Sequence, residues 1–69
     1  MDNFSKELEK CPLNTPILLF AEYMMFQYIF IGTLTINQYD GSITRGQCIK
    51  GDPDIFYRAA IKGWKTLDE

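Results

Sequence analysis

The stretch from Pro16 to Ile36, PILLFAEYMMFQYIFIGTLTI, most constrains what this chain can fold into. It is the longest apolar run in the sequence, and more polar segments flank it on both sides. Any hydrophobic core must therefore form around these residues, because the burial of apolar surface is the dominant favourable contribution to folding.

Two strands joined by a turn are one interpretation of this run. The strands would cover Ile17 to Glu22 and Gln27 to about Tyr39, with the turn near residues 23–26. The second segment is rich in β-branched and aromatic residues, which suit a pleated surface. A buried helix over Leu18 to Ile29 is the alternative, since Leu, Ala, Glu and Met favour helices. Periodicity does not separate strand from helix over residues 18–30 in so apolar a run.

A membrane span is a third interpretation, because the run is close to the ~20 residues that a bilayer requires. Glu22 and Gln27 lie inside it, and a carboxylate in the middle of a span is costly. No basic cluster flanks either end to set an orientation. The sequence therefore argues against membrane association, and a small single-span protein remains an alternative.

The length of the chain predicts one small domain that spans residues 1–69. A hydrophobic fraction of 46% indicates an ordered domain, because disordered segments are poor in such residues. So much apolar surface on so short a chain favours either a homo-oligomer or a surface that contacts a partner. A net charge of −2 argues against nucleic-acid binding, which requires a basic patch.

No pattern of catalytic or metal-binding residues is visible. The sequence has no histidine and two cysteines, Cys11 and Cys48, which excludes Ser-His and Cys-His pairs and argues against a zinc site. The glycines match no phosphate-binding loop. The start of the chain lacks the apolar core of a signal peptide, which predicts a cytoplasmic protein with reduced thiols. We therefore expect no enzyme activity, no cofactor and no metal.

The segments around the apolar run predict further elements. Asp2 to Lys10 favours an N-terminal helix, which Asp2 or Asn3 would cap and Pro12 would end. Asp40 and Gly41 indicate a type I′ hairpin turn, with a third strand from about Ser42 to Ile49.

The C-terminal part predicts a short helix and a last strand. Asp52 is a good helix cap and Pro53 suits the first helical position. In the strand that follows, alternation places Ile61 and Trp64 on opposite sides. The predicted fold is α+β: an N-terminal helix, a three- to four-stranded antiparallel sheet, and a short helix before the last strand.

The aromatic fraction of the sequence is 14%, and so small a core cannot hold this many large aromatic side chains. Tyr and Trp bury much area at low entropic cost and recur at binding hot spots. We therefore predict a partner-binding surface that consists of four aromatic residues and two basic ones: Tyr23, Phe26, Tyr57, Trp64, Arg58 and Lys62.

Three segments resemble a small domain of unknown function that many phages and prophages encode. Pro12 to Phe20 resembles the opening of that domain, which contains Pro-Val-Leu-Leu-Tyr. Phe30 to Leu34 is similar to its glycine-centred strand. Gly63 to Glu69 is similar to its Trp-Xaa-Pro-Leu-Pro-Glu close, although this chain lacks the prolines. The segment Asp52 to Leu67 also looks like the end of small phage proteins that counter bacterial immune systems by sequestering signalling nucleotides.

These resemblances imply a phage or prophage origin and suggest a function. Neither of them implies any catalytic residue in this chain. We expect a phage or prophage inhibitor that binds a host defence or regulatory protein in the host cytoplasm through its aromatic face. The alternative is an oligomer that sequesters a nucleotide-like ligand between its subunits. In that case aromatic stacking and the cations of Arg45, Arg58 or Lys62 would supply the contacts.

Overall fold

The computed structural model describes residues 3–68, which form an antiparallel sheet of four strands in the order β3-β2-β1-β4. The strands are β1 (Ile17–Tyr23), β2 (Phe26–Ile36), β3 (Ile43–Lys50) and β4 (Ala60–Lys65). A helix, α1 (Pro53–Arg58), joins β3 to β4, and a 3-10 turn (Leu8–Lys10) precedes β1. The apolar run is therefore the β1–β2 hairpin, and the helical interpretation of residues 18–30 is wrong.

The predicted N-terminal helix is also wrong. Its proposed cap at Asp2 lies outside the described residues. Ser5 instead forms a β-bridge with Trp64: each backbone N–H donates to the carbonyl oxygen of the other residue at 2.9 Å. Pairing with a strand requires extended backbone, so this tertiary contact overrides the weak helical preference of a short segment. With one short helix and one 3-10 turn among residues 3–68, the fold is closer to all-β than to α+β.

One face of the sheet, here called the covered face, carries the core. Residues opposite each other in the β1–β2 register share a face, so Ile17, Leu19 and Ala21 lie beside Gly32, Phe30 and Tyr28. Helix α1 packs on this face and buries Phe56 completely. The ring of Phe56 meets that of Phe30 edge-on, with centroids 5.3 Å apart.

Gly32 makes room for this helix. A Cβ atom at position 32 would lie 3.0 Å from the Phe56 ring and 2.7 Å from the Gln47 carbonyl oxygen. Any larger residue would therefore push the ring or the neighbouring strand away, and the core of this small domain depends on that close approach.

The opposite face, here called the open face, carries Leu18, Phe20, Ile29 and Ile31 and is only partly covered. Phe4 contacts its edge, with the ring centroids of Phe4 and Phe20 5.7 Å apart. Within residues 3–68, no helix has the length and apolar character to cross a membrane.

The helix start predicted at Asp52 and Pro53 is confirmed. The carboxylate of Asp52 accepts a hydrogen bond from the backbone N–H of Asp54 at 2.9 Å, and Pro53 opens the helix. Proline has no N–H to leave unpaired at that position. This short helix ends at Arg58, and only Ala59 separates it from β4.

The turn between β2 and β3 differs from the predicted two-residue type. Gly41 has positive φ (73°) as expected, but Asp40 does not. The loop is longer: the N–H of Asn37 donates to the carbonyl oxygen of Ser42 at 2.7 Å. Asp40 accepts from the Ser42 hydroxyl at 2.7 Å and from its N–H at 2.9 Å, and these bonds lower the pKa of that carboxyl.

Candidate functional site: an apolar hairpin tip

The turn between β1 and β2 has an unusual backbone for its sequence. Met24 and Met25 form a two-residue connection, and their φ angles are 49° and 71°. Two-residue hairpin turns of type I′ require positive φ at both central positions, and Asn-Gly or Asp-Gly normally supplies it. For a residue with a Cβ atom this conformation costs about 1–2 kcal/mol. Strain of this kind, held by the surrounding structure, points to a functional constraint.

The side chains at this turn are apolar and face solvent. Met24 is 73% exposed, Met25 is 96% exposed and Phe26 is 67% exposed. We call these three residues the hairpin tip. Methionine is unbranched and polarisable, so it adapts to irregular partner surfaces. A turn at the end of a hairpin is normally polar, so a cluster of three large apolar residues there makes this turn the candidate site.

A groove of about 330 Å³ lies beside the hairpin tip. Register pairing of Glu22 with Ala60 brings the start of β4 next to the end of β1, and the groove forms where these segments meet the turn. Its lining consists of Glu22, Tyr23, Met24, Met25, Ala60 and Lys62. The groove therefore combines apolar surface with one acidic and one basic side chain, which suits an apolar contact with polar groups at its rim.

Three of the six predicted partner-binding residues meet here. Tyr23 and Lys62 line the groove, and Phe26 lies opposite Tyr23 in the β1–β2 register. Their side chains come from three different strand ends, so only the folded hairpin with β4 beside it assembles them.

The other three residues lie elsewhere. Tyr57 is half-exposed on α1, where its hydroxyl donates to the Gly46 carbonyl oxygen at 3.0 Å. Arg58 is exposed at the end of α1. Trp64 is partly buried on β4, and its ring N–H donates to the carbonyl oxygen of Glu7 at 3.0 Å. The structure therefore gives Trp64 an intramolecular contact and does not place it at the hairpin tip.

The sequence does not single out Met24 and Met25, which form the exposed turn of the candidate site. A turn was expected at residues 23–26, and the sequence offers no glycine, proline or other turn former there. Large apolar residues inside a predicted turn were the available signal, because such residues gain nothing from that position in an isolated chain.

The two thiols are poor nucleophiles in this environment. Burial raises the pKa of the Cys11 thiol. Desolvation raises the pKa of Cys48, and the nearby negative charge of Asp52 raises it further. The thiolate is the reactive form of cysteine, and both effects reduce its population at neutral pH. Among residues 3–68, no three His, Cys, Asp or Glu side chains come together in a way that could hold a metal ion.

Comparison with known proteins yields no relative. No family model, no curated protein and no solved structure matches the chain. The resemblance to phage domains therefore stays a prediction from sequence motifs, and the function has to be argued from the geometry of this molecule.

Proposed function

We propose that the protein is a non-enzymatic binding protein that inserts its hairpin tip into an apolar pocket of a partner protein. The observation that carries the proposal is the combination of strain and exposure at Met24 and Met25. The strain costs the isolated molecule stability and the exposed side chains contribute none, and both features are accounted for if a partner covers the turn. The phage resemblance makes a host defence or regulatory protein of a bacterium the expected partner.

The energetics indicate that the groove also takes part in binding. Full burial of one Met or Phe side chain contributes about 1.5–3 kcal/mol. Three such side chains give about 4–9 kcal/mol, whereas association costs about 4–15 kcal/mol in lost translational and rotational freedom. The hairpin tip alone is thus a weak ligand. Contacts from Tyr23, Glu22 and Lys62 at the groove would add affinity and would orient the partner.

A rigid turn lowers the cost of binding. The tip is fixed by a two-residue connection between paired strands, so little backbone entropy remains to be lost on association. A flexible loop with the same three residues would bind less tightly.

Site-specific photo-crosslinking tests this proposal. A benzoylphenylalanine at position 25 would be activated in bacterial lysate and compared with the same group at position 39. Tyr39 is 99% exposed on the β2–β3 loop, far along the chain from the tip, and is a matched control. We expect one discrete adduct from position 25 and none from position 39.

Competition gives this experiment its specificity. An excess of unlabelled wild-type protein should remove the adduct, and an excess of the Met24→Asn/Met25→Gly protein should not. The proposal is wrong if both competitors remove the adduct equally, or if the two labelled positions give the same mixture of adducts. A tip that instead inserts into lipid would capture lipid at position 25 and no protein.

A further inference from the structure

A second cavity, of about 200 Å³, lies on the covered face and shares no residue with the groove at the hairpin tip. Four aliphatic side chains and two polar ones line it: Leu8, Leu34, Ile43, Ile61, Thr44 and Arg45. Ile43 lies on β3 and Ile61 on β4, and two strands separate these in the sheet order. Residues from both outer strands therefore line one cavity on the covered face.

Arg45 is the charged group of this cavity. Its Nη2 donates to the carbonyl oxygen of Ala59, which ties β3 to the segment between α1 and β4. Its Nε is buried and has no hydrogen-bond partner. Within residues 3–68, no carboxylate lies within 4.0 Å of the guanidinium. A guanidinium carries five N–H donors. This one makes a single hydrogen bond to the described part of the chain.

A partly buried cation without a counter-charge is costly, and buried polar groups in proteins normally have partners. Direct pairing with an acidic side chain is the usual solution, and residues 3–68 do not supply it. Arg45 lines the cavity, and an anion there could pair with the outer N–H groups of the guanidinium, since the buried Nε is closed to solvent.

We propose that this cavity binds a small aliphatic carboxylate, with the carboxylate paired to Arg45 and the hydrocarbon part against the four aliphatic side chains. A planar guanidinium matches a carboxylate in geometry as well as in charge. The volume equals that of about seven water molecules at about 30 Å³ each, which suits a short branched acid. A phosphate could also pair with the guanidinium, but it would leave the four aliphatic side chains of the cavity unused.

Three probes separate the charge of the ligand from its hydrocarbon part. Isocaproate carries both, isocaproamide has the same hydrocarbon part without charge, and acetate has the charge with little hydrocarbon. Titration into the isotopically labelled protein, followed by NMR, should shift the amide signals of β3 residues around Arg45. We expect isocaproate to bind at least about tenfold more tightly than either other probe. Isocaproamide loses the charge-assisted hydrogen bonds, which exceed neutral ones in strength. Acetate loses the apolar contact with the aliphatic side chains.

Variants locate the binding. Arg45→Met removes the cation and keeps an unbranched stem, and it should lower the affinity for isocaproate at least about tenfold. Lys50→Met removes an exposed cation of the same strand that does not line the cavity, and it should leave the affinity unchanged. If Arg45→Met fails to fold, Ile43→Phe, which keeps the arginine and fills part of the cavity, should abolish binding.

Two results would overturn the proposal. One is equal affinity for isocaproate and isocaproamide, which would mean that the cavity binds only the hydrocarbon part and that the charge of Arg45 does not contribute. The other is no binding of isocaproate up to its solubility limit by a wild-type protein whose NMR spectrum shows that it is folded.

Discussion

Met24 and Met25 hold a backbone conformation that favours glycine and asparagine, and their apolar side chains remain in solvent. Neither the backbone conformation nor the exposure of these side chains stabilises the isolated molecule. At the scale of single residues, the β1–β2 turn is therefore the place where stability and the proposed function oppose each other, as is common at binding sites.

Replacing both methionines tests this opposition. We expect Met24→Asn/Met25→Gly to raise the free energy of unfolding by about 1–2 kcal/mol, because these residues adopt positive φ with less strain. Urea denaturation followed by circular dichroism measures the change. The control is Met24→Ala/Met25→Ala, which removes the same apolar groups and keeps the strain. An equal gain in both variants would mean that the backbone is not the cause.

Cys11 predicts a loss of stability at alkaline pH. Burial raises the pKa of its thiol in the folded state above that in the unfolded chain, where it is about 8.5. Above that pH the unfolded state binds fewer protons than the folded state, so the free energy of unfolding falls as pH rises. Below that pH both states are protonated and the stabilising contribution is complete.

The Cys11→Ala variant checks this expectation, because alanine keeps a small apolar group and cannot ionise. Denaturation midpoints at about pH 7 and about pH 9.5 should differ less for the variant than for the wild type. Identical pH dependence in the two proteins would show that other groups cause the loss.

At the scale of elements, α1 depends on Asp52, the capping residue that precedes it. A helix of six residues has too few internal hydrogen bonds to be stable alone. It is held by its cap and by the burial of Phe56 against the sheet. Since α1 also covers the core, loss of the cap affects the whole domain.

The cap can be tested without disturbing the core. Asp52→Ala should lower the free energy of unfolding by about 1 kcal/mol, because the N–H of Asp54 would lose its acceptor. Asp52→Asn keeps an acceptor in the same place and should be close to the wild type. A cost for Asp52→Asn as large as that for Asp52→Ala would assign the effect to charge.

The elements that the sequence predicted correctly are those with strong local signals. Density of β-branched residues indicated β2, and the Asp52-Pro53 pair indicated the start of α1. The prediction of an N-terminal helix was wrong because the spacing of the apolar residues is compatible with a helix and also with an extended segment anchored by Phe4. Only the pairing of Ser5 with Trp64, distant in sequence, decides between them.

Strand β4 shows a second limit. Alternation predicted Ile61 and Trp64 on opposite sides, but their register partners Ala21 and Leu19 lie on the same face of β1. A shift in register between Phe20 and Ala21 accounts for this, since one extra residue in a strand reverses its alternation. The sequence of β4 contains no signal that predicts this bulge. At the candidate site, the three residues that the sequence predicted, Tyr23, Phe26 and Lys62, are aromatic or basic, and the methionines lack such a signal.

At the scale of the whole molecule, the fold closes through contacts between distant parts of the chain. β4, the last strand, pairs with β1, the first, and the N-terminal segment pairs with β4 on its other side. Proteins in which such non-local pairings dominate fold in about milliseconds to seconds. Because β4 completes the core with Ile61 and Trp64 beside β1, the preceding part of the chain is not an independent folding unit.

Truncation tests this dependence. A chain that ends after Ala59 loses β4 and should be unfolded by circular dichroism at all temperatures. A chain that ends after Thr66 loses residues 67–69, of which Leu67 and Asp68 are exposed, and it should keep the stability of the full chain within about 0.5 kcal/mol. A cooperative thermal transition in the shorter chain would contradict the argument.

The contact between Trp64 and Glu7 has a practical consequence, because the chain contains a single tryptophan. Indole fluorescence depends on the polarity around the ring, and here the ring N–H is bonded to the N-terminal segment. Detachment of that segment would replace the Glu7 carbonyl by water and move the emission to longer wavelength while the four strands remain paired. The intrinsic fluorescence of the protein thus responds to the attachment of its N-terminal segment even where the sheet stays folded.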